Sequence, residues 1–139
     1  MEIGIVRDAH VTMTLRSEHF GMLSFTEENL FAALLACRRA LEKDGYLILC
    51  NGARKDAYPS RMTLRMGGGQ KIYLFHPGKP SLSEDLVDTL GAASIENVGT
   101  IAEQRAAYEA WIAGLFPHPT PLQKQLLGGL KNQVQRLAN

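Results

Sequence analysis

The sequence is short of the residues and patterns on which several functional classes depend. It has two cysteines, Cys37 and Cys50, in 139 residues, so the disulfide framework that holds many small secreted domains together is not expected. No apolar run approaches the roughly 18 residues of a membrane helix. No CxxC or HExxH pattern occurs, and the four histidines are not spaced as metal ligands. We therefore predict free buried thiols, no bound metal and no contact with a membrane.

An excess of charge of one sign is also missing. The chain has 15 basic and 14 acidic residues, a net charge of +1 and an aromatic fraction of 7%. Proteins that bind nucleic acid usually combine a basic surface with several aromatic side chains. The first residues, "MEIGIVRDAHV", lack the charged start, apolar stretch and cleavage site of a signal peptide. We expect a cytoplasmic protein with no cofactor, and nucleic acid is not the expected partner.

The charges that are present separate along the chain. Residues 52–79 hold six basic residues and one acid, a net of +5, while residues 81–109 hold six acids and one base, a net of −5. Patches of opposite sign can orient a partner. Alternatively, the two regions lie side by side and neutralise each other.

The first half of the chain alternates between strand and helix patterns. "EIGIVRD" and "HVTMTLRS" predict two strands in a hairpin, and "SFTEENLFAALLACRRALEKDG" predicts a helix capped by Thr26 or Ser24. "YLILC" predicts a central strand buried on both faces, and "QKIYLFH" predicts a further strand.

The second half is predicted to be helical. "SLSEDLVDTLG" pairs Ser81 with Glu84 as a capping box, and "TIAEQRAAYEAWIAGLF" pairs Thr100 with Glu103. A last helix is predicted to begin near Thr120. The order β-β-α-β-β-α-α-α predicts an α+β fold with one mixed or antiparallel sheet of about four or more strands covered by helices. We predict a single domain over residues 1–139, with 118–139 as a loosely attached C-terminal helix.

The stretch "CNGARKDAYPSRMTLRMGGGQK", residues 50–71, is the most distinctive in the chain. Its three consecutive glycines suggest a phosphate-binding loop, but a strand pattern follows them, so no helix N-terminus faces an anion. We expect Gly67 to Gly69 to form a tight turn or bulge in which positive φ favours glycine. The candidate partner-binding side chains of this stretch are Arg54, Lys55, Tyr58, Arg61 and Arg65.

No catalytic constellation emerges from the sequence. Cys50 and His76 end two predicted strands and would meet if those strands pair, which is the arrangement of a Cys–His dyad. A buried cysteine and an edge histidine account for both residues more simply. We expect no catalytic residue and no enzymatic activity.

One region resembles a known family. The Cys-Asn-Gly-x-Arg-x-Asp-x-Tyr-Pro-Ser block together with Met-Gly-Gly-Gly, followed by "DLVDTLGAA" and "TIAEQRAAYEAWIAGL", resembles a family of small bacterial proteins encoded in toxin–immunity loci of the Rhs and contact-dependent-inhibition type. The resemblance runs from about residue 20 to residue 116. It implies a cytoplasmic, non-enzymatic protein that binds and neutralises a cognate toxin C-terminal domain. We expect the protein to be a monomer or a homodimer. It carries no catalytic or binding residues with it.

Two surfaces then compete for the partner, namely the basic 54–71 loop and the acidic 84–109 face. The alternative function is a small RNA- or nucleotide-binding module that uses the basic loop, with Tyr58 stacking on a base.

Overall fold

The computed structural model describes residues 2–116 and 121–122, and this part of the chain has an α+β fold. The predicted last helix and the predicted attachment of residues 118–139 lie almost entirely outside it. The strands are β1 Glu2–Arg7, β2 Val11–Ser17, β3 Gly21–Glu27, β4 Ala57–Tyr58, β5 Lys71–Leu74 and β6 Leu86–Asp88. The helices are α1 Leu30–Glu42, α2 Arg61–Arg65 and α3 Ile101–Leu115.

The strands form two separate antiparallel sheets rather than the one larger sheet that the sequence predicted. The first has the order β1-β2-β3 and the second β4-β5-β6. In the first, Ile3 lies opposite Leu15 and Ile5 opposite Met13. In the second, Ile72 lies opposite Val87.

Helix α1 lies between two hydrophobic clusters and belongs to both. Leu30, Leu34 and Leu41 pack with the buried side of β2, while Phe31 and Leu35 pack with the second sheet. Eight of the thirteen residues of α1 are buried and the other five are partly exposed, so the helix has no fully exposed face. The two sheets are thus held together through one helix.

The N-terminal hairpin, the strand at β5 and the helix α3 are confirmed. In α3, the Thr100 side chain accepts a hydrogen bond from the Glu103 N–H at 3.1 Å, and Glu103 Oε1 accepts one from the Thr100 N–H at 3.0 Å. This is the predicted capping box. The pattern was local, so it could be read without knowing the rest of the fold.

Three predicted elements were wrong. Residues 21–27 form β3, so the N-cap of α1 is Asn29, whose Oδ1 accepts from Ala32 N–H at 2.8 Å, and not Thr26 or Ser24. Residues 46–49 form no strand, and Leu47 and Leu49 are exposed; only Cys50 makes a bridge, to Ala92. Tertiary contacts override an apolar run that was too short to decide between structures.

The third error concerns residues 81–91. They contain a single 3-10 turn, Ser83–Asp85, followed by β6, and not a helix. Ser81 is not a cap: its hydroxyl donates to the Leu74 carbonyl at 2.7 Å. The β-branched Val87 pairs with Ile72 across the sheet, which outweighs the weak helix signal.

Candidate functional site

The stretch between residues 50 and 71 divides into two parts that differ in exposure. We call residues 50–60 the anchored half, and the four side chains of Arg61, Met62, Arg65 and Met66 the arginine–methionine ridge. The anchored half includes a 3-10 turn, Asn51–Ala53, and strand β4. The ridge occupies α2 and the residue that follows it.

Two of the predicted binding residues serve the fold in the anchored half. Arg54 makes a two-pronged ion pair with Asp56, with Nε–Oδ1 at 2.7 Å and Nη2–Oδ2 at 2.8 Å. That hydrogen-bonded pairing raises the pKa of the Arg54 guanidinium above its ordinary value. Tyr58 is 5% exposed and stacks on Tyr108 with ring centres 4.2 Å apart. Both side chains therefore already have partners within the fold, and their role in partner binding stays a prediction.

A buried polar network fastens the anchored half to α1 and α3. Arg38 is 2% exposed, and its guanidinium donates to Gln104 Oε1 at 2.6 Å and to the carbonyls of Gly52 and Gly99 at 3.3 and 3.0 Å. Gln104 Nε2 lies within 2.9 Å of the carbonyls of Gly52, Arg54 and Ala57. Burial lowers the pKa of the Arg38 guanidinium, and the nearby Glu42 carboxylate opposes this. The side chains of Arg38 and Gln104 therefore supply hydrogen-bond donors to backbone carbonyls of this irregular segment.

Lys55 is exposed but is fixed at its base. Its N–H donates to the Asn97 carbonyl at 2.8 Å, and its side chain runs so close to Gly99 that a Cβ there would lie 2.5 Å from Lys55 Cγ. The side chain is exposed. The Thr100 hydrogen bonds lower the pKa of Glu103, and the positive charge of Lys55 lowers it further by a smaller effect. Lys55 is thus a cation whose aliphatic stem is already packed.

The side chains of the arginine–methionine ridge, unlike most of those in the anchored half, are exposed. Arg61 and Arg65 are exposed, and neither makes a hydrogen bond or ion pair within the described part of the chain. Met62 and Met66 are 66% and 83% exposed. Residues four apart on a helix are neighbours, so two cations and two thioethers lie together on one turn.

The backbone beneath the ridge is held in place from both ends. At the start of α2, Ser60 and Thr63 form a capping box, in which Ser60 Oγ accepts from Thr63 N–H at 3.0 Å. At its end, Gly69 N–H donates to the Thr63 carbonyl at 2.9 Å and the Gly68 carbonyl accepts from Leu30 N–H at 2.8 Å. The ridge is therefore an exposed surface on a fixed support.

The triple glycine forms the predicted tight turn. Gly68 and Gly69 have φ of +61° and +77°, which residues with a Cβ rarely adopt. Gly69 also lies against the start of α1, because a Cβ there would be 2.8 Å from the Phe31 nitrogen. Strand β5 follows the glycines, so they do not lead into a helix as a phosphate loop does, and the Leu30 N–H at the start of α1 is already taken by the Gly68 carbonyl.

Cys50 and His76 do not form a dyad. Cys50 is 3% exposed within the first hydrophobic cluster, where burial raises the pKa of its thiol and disfavours the nucleophilic thiolate. His76 is exposed, and its Nε2 lies 3.2 Å from Asp85 Oδ1. Within residues 2–116 and 121–122, no group of three or more His, Cys, Asp or Glu side chains is placed to hold a metal ion.

The acidic region is partly committed to the fold. Asp88 pairs with Lys71, Asp85 accepts from the Leu82 N–H at 2.8 Å, and Glu103 caps α3. Because β5 and β6 are adjacent, the acidic and basic regions do meet at Lys71 and Asp88. The two arginines of the ridge take no part in this neutralisation.

Sequence reasoning treated the ridge as a loop and overlooked its methionines. A signal was present: Ser60 followed by Arg61, Met62, Arg65 and Met66 is an N-cap followed by two i, i+4 pairs.

No described helix is long and apolar enough to cross a bilayer. Comparison with models of protein families and with curated proteins finds no match.

Proposed function

We propose that this protein is an immunity protein, a non-enzymatic inhibitor that binds a cognate bacterial toxin domain through the arginine–methionine ridge. The observation that carries the proposal is the exposure of Met62 and Met66 beside two arginines that have no ion-pair partner in the described residues. Arginine and methionine are enriched in protein–protein interfaces.

The fixed backbone of the ridge supports the same function. Binding costs free energy when it must order flexible segments, and a pre-formed surface avoids part of that cost. The capping box at Ser60 and the contact between Gly69 and α1 fix the turn before any partner arrives. A rigid, basic and partly apolar surface fits an acidic face with an apolar centre on the toxin.

The ridge is a better candidate than the acidic 84–109 face. Three of its six acids, Asp85, Asp88 and Glu103, already have partners within the described residues, so a toxin would have to compete for them. The arginines of the ridge offer their hydrogen-bond donors without such competition. An arginine that forms paired hydrogen bonds with a carboxylate makes one of the stronger contacts in protein recognition.

The test is a binding titration between the purified protein and the toxin domain encoded next to its gene. The double variant Arg61→Glu/Arg65→Glu should weaken binding by about 100-fold or more, as expected for two charge reversals near the centre of an interface. The matched control, Lys43→Glu/Lys79→Glu, changes charge equally at exposed positions elsewhere and should leave the affinity within about threefold. Equal losses of affinity in both double variants would show that the ridge is not part of the interface.

The alternative function, an RNA- or nucleotide-binding module, has weaker support. The ridge has two arginines, and Arg7 reaches the turn that follows them, where its Nη1 would lie 3.9 Å from a Cβ at Gly68. Tyr58, the aromatic side chain predicted to stack on a base, is buried. Titration of the protein with a single-stranded RNA at two salt concentrations tests this alternative. An RNA-binding module should bind and should lose affinity steeply as the salt concentration rises, because phosphate contacts are salt-dependent.

A further inference from the structure

Strand β1 presents an open edge of the first sheet. It is outermost in the order β1-β2-β3, and in the part of the chain that the structure describes its other side has no strand neighbour. Ile3 is 41% exposed on the face that carries Ile5, and Val6 is 63% exposed on the opposite face. An edge strand with exposed apolar residues and unpaired backbone groups is a template for pairing with another strand.

The devices that usually block such pairing are absent from the middle of β1. Residues 3–6, "IGIV", contain no proline and no charge, and the charges Glu2 and Arg7 stand only at the ends. A shallow groove of about 350 Å³ runs along the strand, lined by residues 2–6 with Thr14 and Arg16. It is open at Gly4, where an added Cβ would meet nothing within 4 Å.

The sequence of β1 suits pairing with itself. Parallel pairing would bring Glu2 near Glu2 and Arg7 near Arg7 of the two copies, whereas antiparallel pairing brings each Glu2 end to the Arg7 end of the other copy. Opposite charges across a strand pair stabilise it, and like charges destabilise it. The like charges therefore disfavour in-register parallel pairing, whereas in antiparallel pairing Glu2 and Arg7 lie on opposite faces of the sheet and do not meet a like charge.

The side-chain pattern selects one register. Antiparallel pairing about a two-fold axis places residues of the same face opposite each other, so either Gly4 faces Gly4 or Ile5 faces Ile5 near the centre. Ile5 facing Ile5 would set Glu2 opposite Asp8, a pair of like charges. Gly4 facing Gly4 sets Ile3 opposite Ile5 twice, on the face that packs on the core.

We propose that two copies of this protein associate through β1, antiparallel and with Gly4 opposite Gly4, to form one continuous six-stranded sheet. The Ile3 side chain, half-exposed in one copy, is then covered by Ile5 of the other. Backbone hydrogen bonds close the open edge of each sheet. This interface uses none of the ridge residues, and it is independent of the function proposed above.

Cross-linking tests the register. A cysteine at Gly4 would face its counterpart at a Cα separation of about 5 Å, within the range of a disulfide. A cysteine at Val6, also an exposed position on the same strand, would be about 14 Å from its counterpart, which is beyond reach. Under mild oxidation Gly4→Cys should form a covalent dimer at least about tenfold faster than Val6→Cys. Equal rates, or a faster Val6→Cys, would overturn the proposed pairing.

Sedimentation tests the association itself. The protein should sediment as a dimer at high micromolar concentration, and Ile3→Lys should raise the dissociation constant by about tenfold or more, because it places a charge opposite an apolar side chain. Met22→Lys, at a 61% exposed position on β3 at the other edge, should leave the dissociation constant unchanged. A monomer at all concentrations, or equal effects of both variants, would overturn the proposal. Circular dichroism of both variants confirms that the fold is retained.

Discussion

The anchored half and the arginine–methionine ridge are neighbours in the chain, yet they use similar residues for opposite purposes. Arg54 is held by two hydrogen bonds to Asp56, whereas Arg61 and Arg65 point to solvent without an ion-pair partner in the described residues. Tyr58 packs between Phe31 and Tyr108, whereas Met62 remains 66% exposed. Residue type alone therefore does not distinguish a structural side chain from a binding one.

The difference arises where the backbone changes direction. Up to Ser60 the chain passes between α1 and α3, so its side chains and carbonyls meet buried partners such as Gln104. After Pro59 and Ser60 it forms one helical turn outside the two hydrophobic clusters, of which only Thr63 is buried and Leu64 partly so. We expect mutations in the anchored half to change stability and mutations in the ridge to change binding.

The largest expected loss of stability follows from Gln104→Leu. Its amide holds three carbonyls of the anchored half and accepts a hydrogen bond from the buried Arg38. The variant removes these hydrogen bonds, although the Gly52 carbonyl keeps Arg38 as a donor, and should lower the free energy of unfolding by about 3–5 kcal/mol. Chemical denaturation measures the loss. Gln70→Ala, at an exposed glutamine, is the control and should change stability by less than about 0.5 kcal/mol.

The next largest effect compares the two glycines that join the ridge to the core. Gly69→Ala combines a positive φ with a collision against the backbone of α1 and should cost about 3 kcal/mol, whereas Gly68→Ala meets only the positive φ and should cost about 1 kcal/mol. Thermal or urea unfolding of both variants gives the difference. Equal losses would show that the contact with α1 does not hold the ridge.

A pH-dependent effect should come from the aromatic stack of the anchored half. Burial raises the pKa of the phenols of Tyr58 and Tyr108 above the ordinary value near 10. The folded protein therefore keeps these protons where the unfolded chain has lost them. Their contribution to stability is complete below about pH 10 and is lost as the pH rises further. Urea unfolding between pH 8 and pH 11 should show a falling midpoint, with a smaller fall in Tyr58→Phe.

The smallest expected effect on stability is that of the ridge. Met62→Ala and Arg65→Ala remove exposed side chains and should each change the free energy of unfolding by less than about 0.5 kcal/mol. The same variants should weaken toxin binding if the ridge is the interface. A stability loss as large as that of Gly69→Ala would contradict the division between the two regions.

Some of this architecture could be read from the sequence because it depends on local interactions. The hairpin of β1 and β2 follows from alternating residues on either side of a short turn, and α3 from Thr100 and Glu103 at capping-box spacing. The turn at Gly68 and Gly69 follows from the freedom of glycine at positive φ. The α+β class follows from the mixture of such segments.

Other features could not be read because they depend on distant partners. The segment at 46–49 carries a strand pattern, but Leu47 and Leu49 find no strand to pair with. Val87 becomes part of a strand because Ile72 lies beside it, although its own neighbours favour a helix. The short stretches were ambiguous locally, so tertiary contacts decided them.

By itself, the sequence determined that the chain forms an α+β fold, where its N-terminal hairpin and its capped helix α3 lie, and that residues 50–71 are its most distinctive stretch. Only the tertiary structure decided that Tyr58 is buried and Arg54 is ion-paired while Arg61 and Arg65 are exposed. The physical reason is that burial and ion pairing are relations between distant segments. Asp56 is near Arg54 in the chain, but Tyr108 and Gln104, which complete the anchored half, are not.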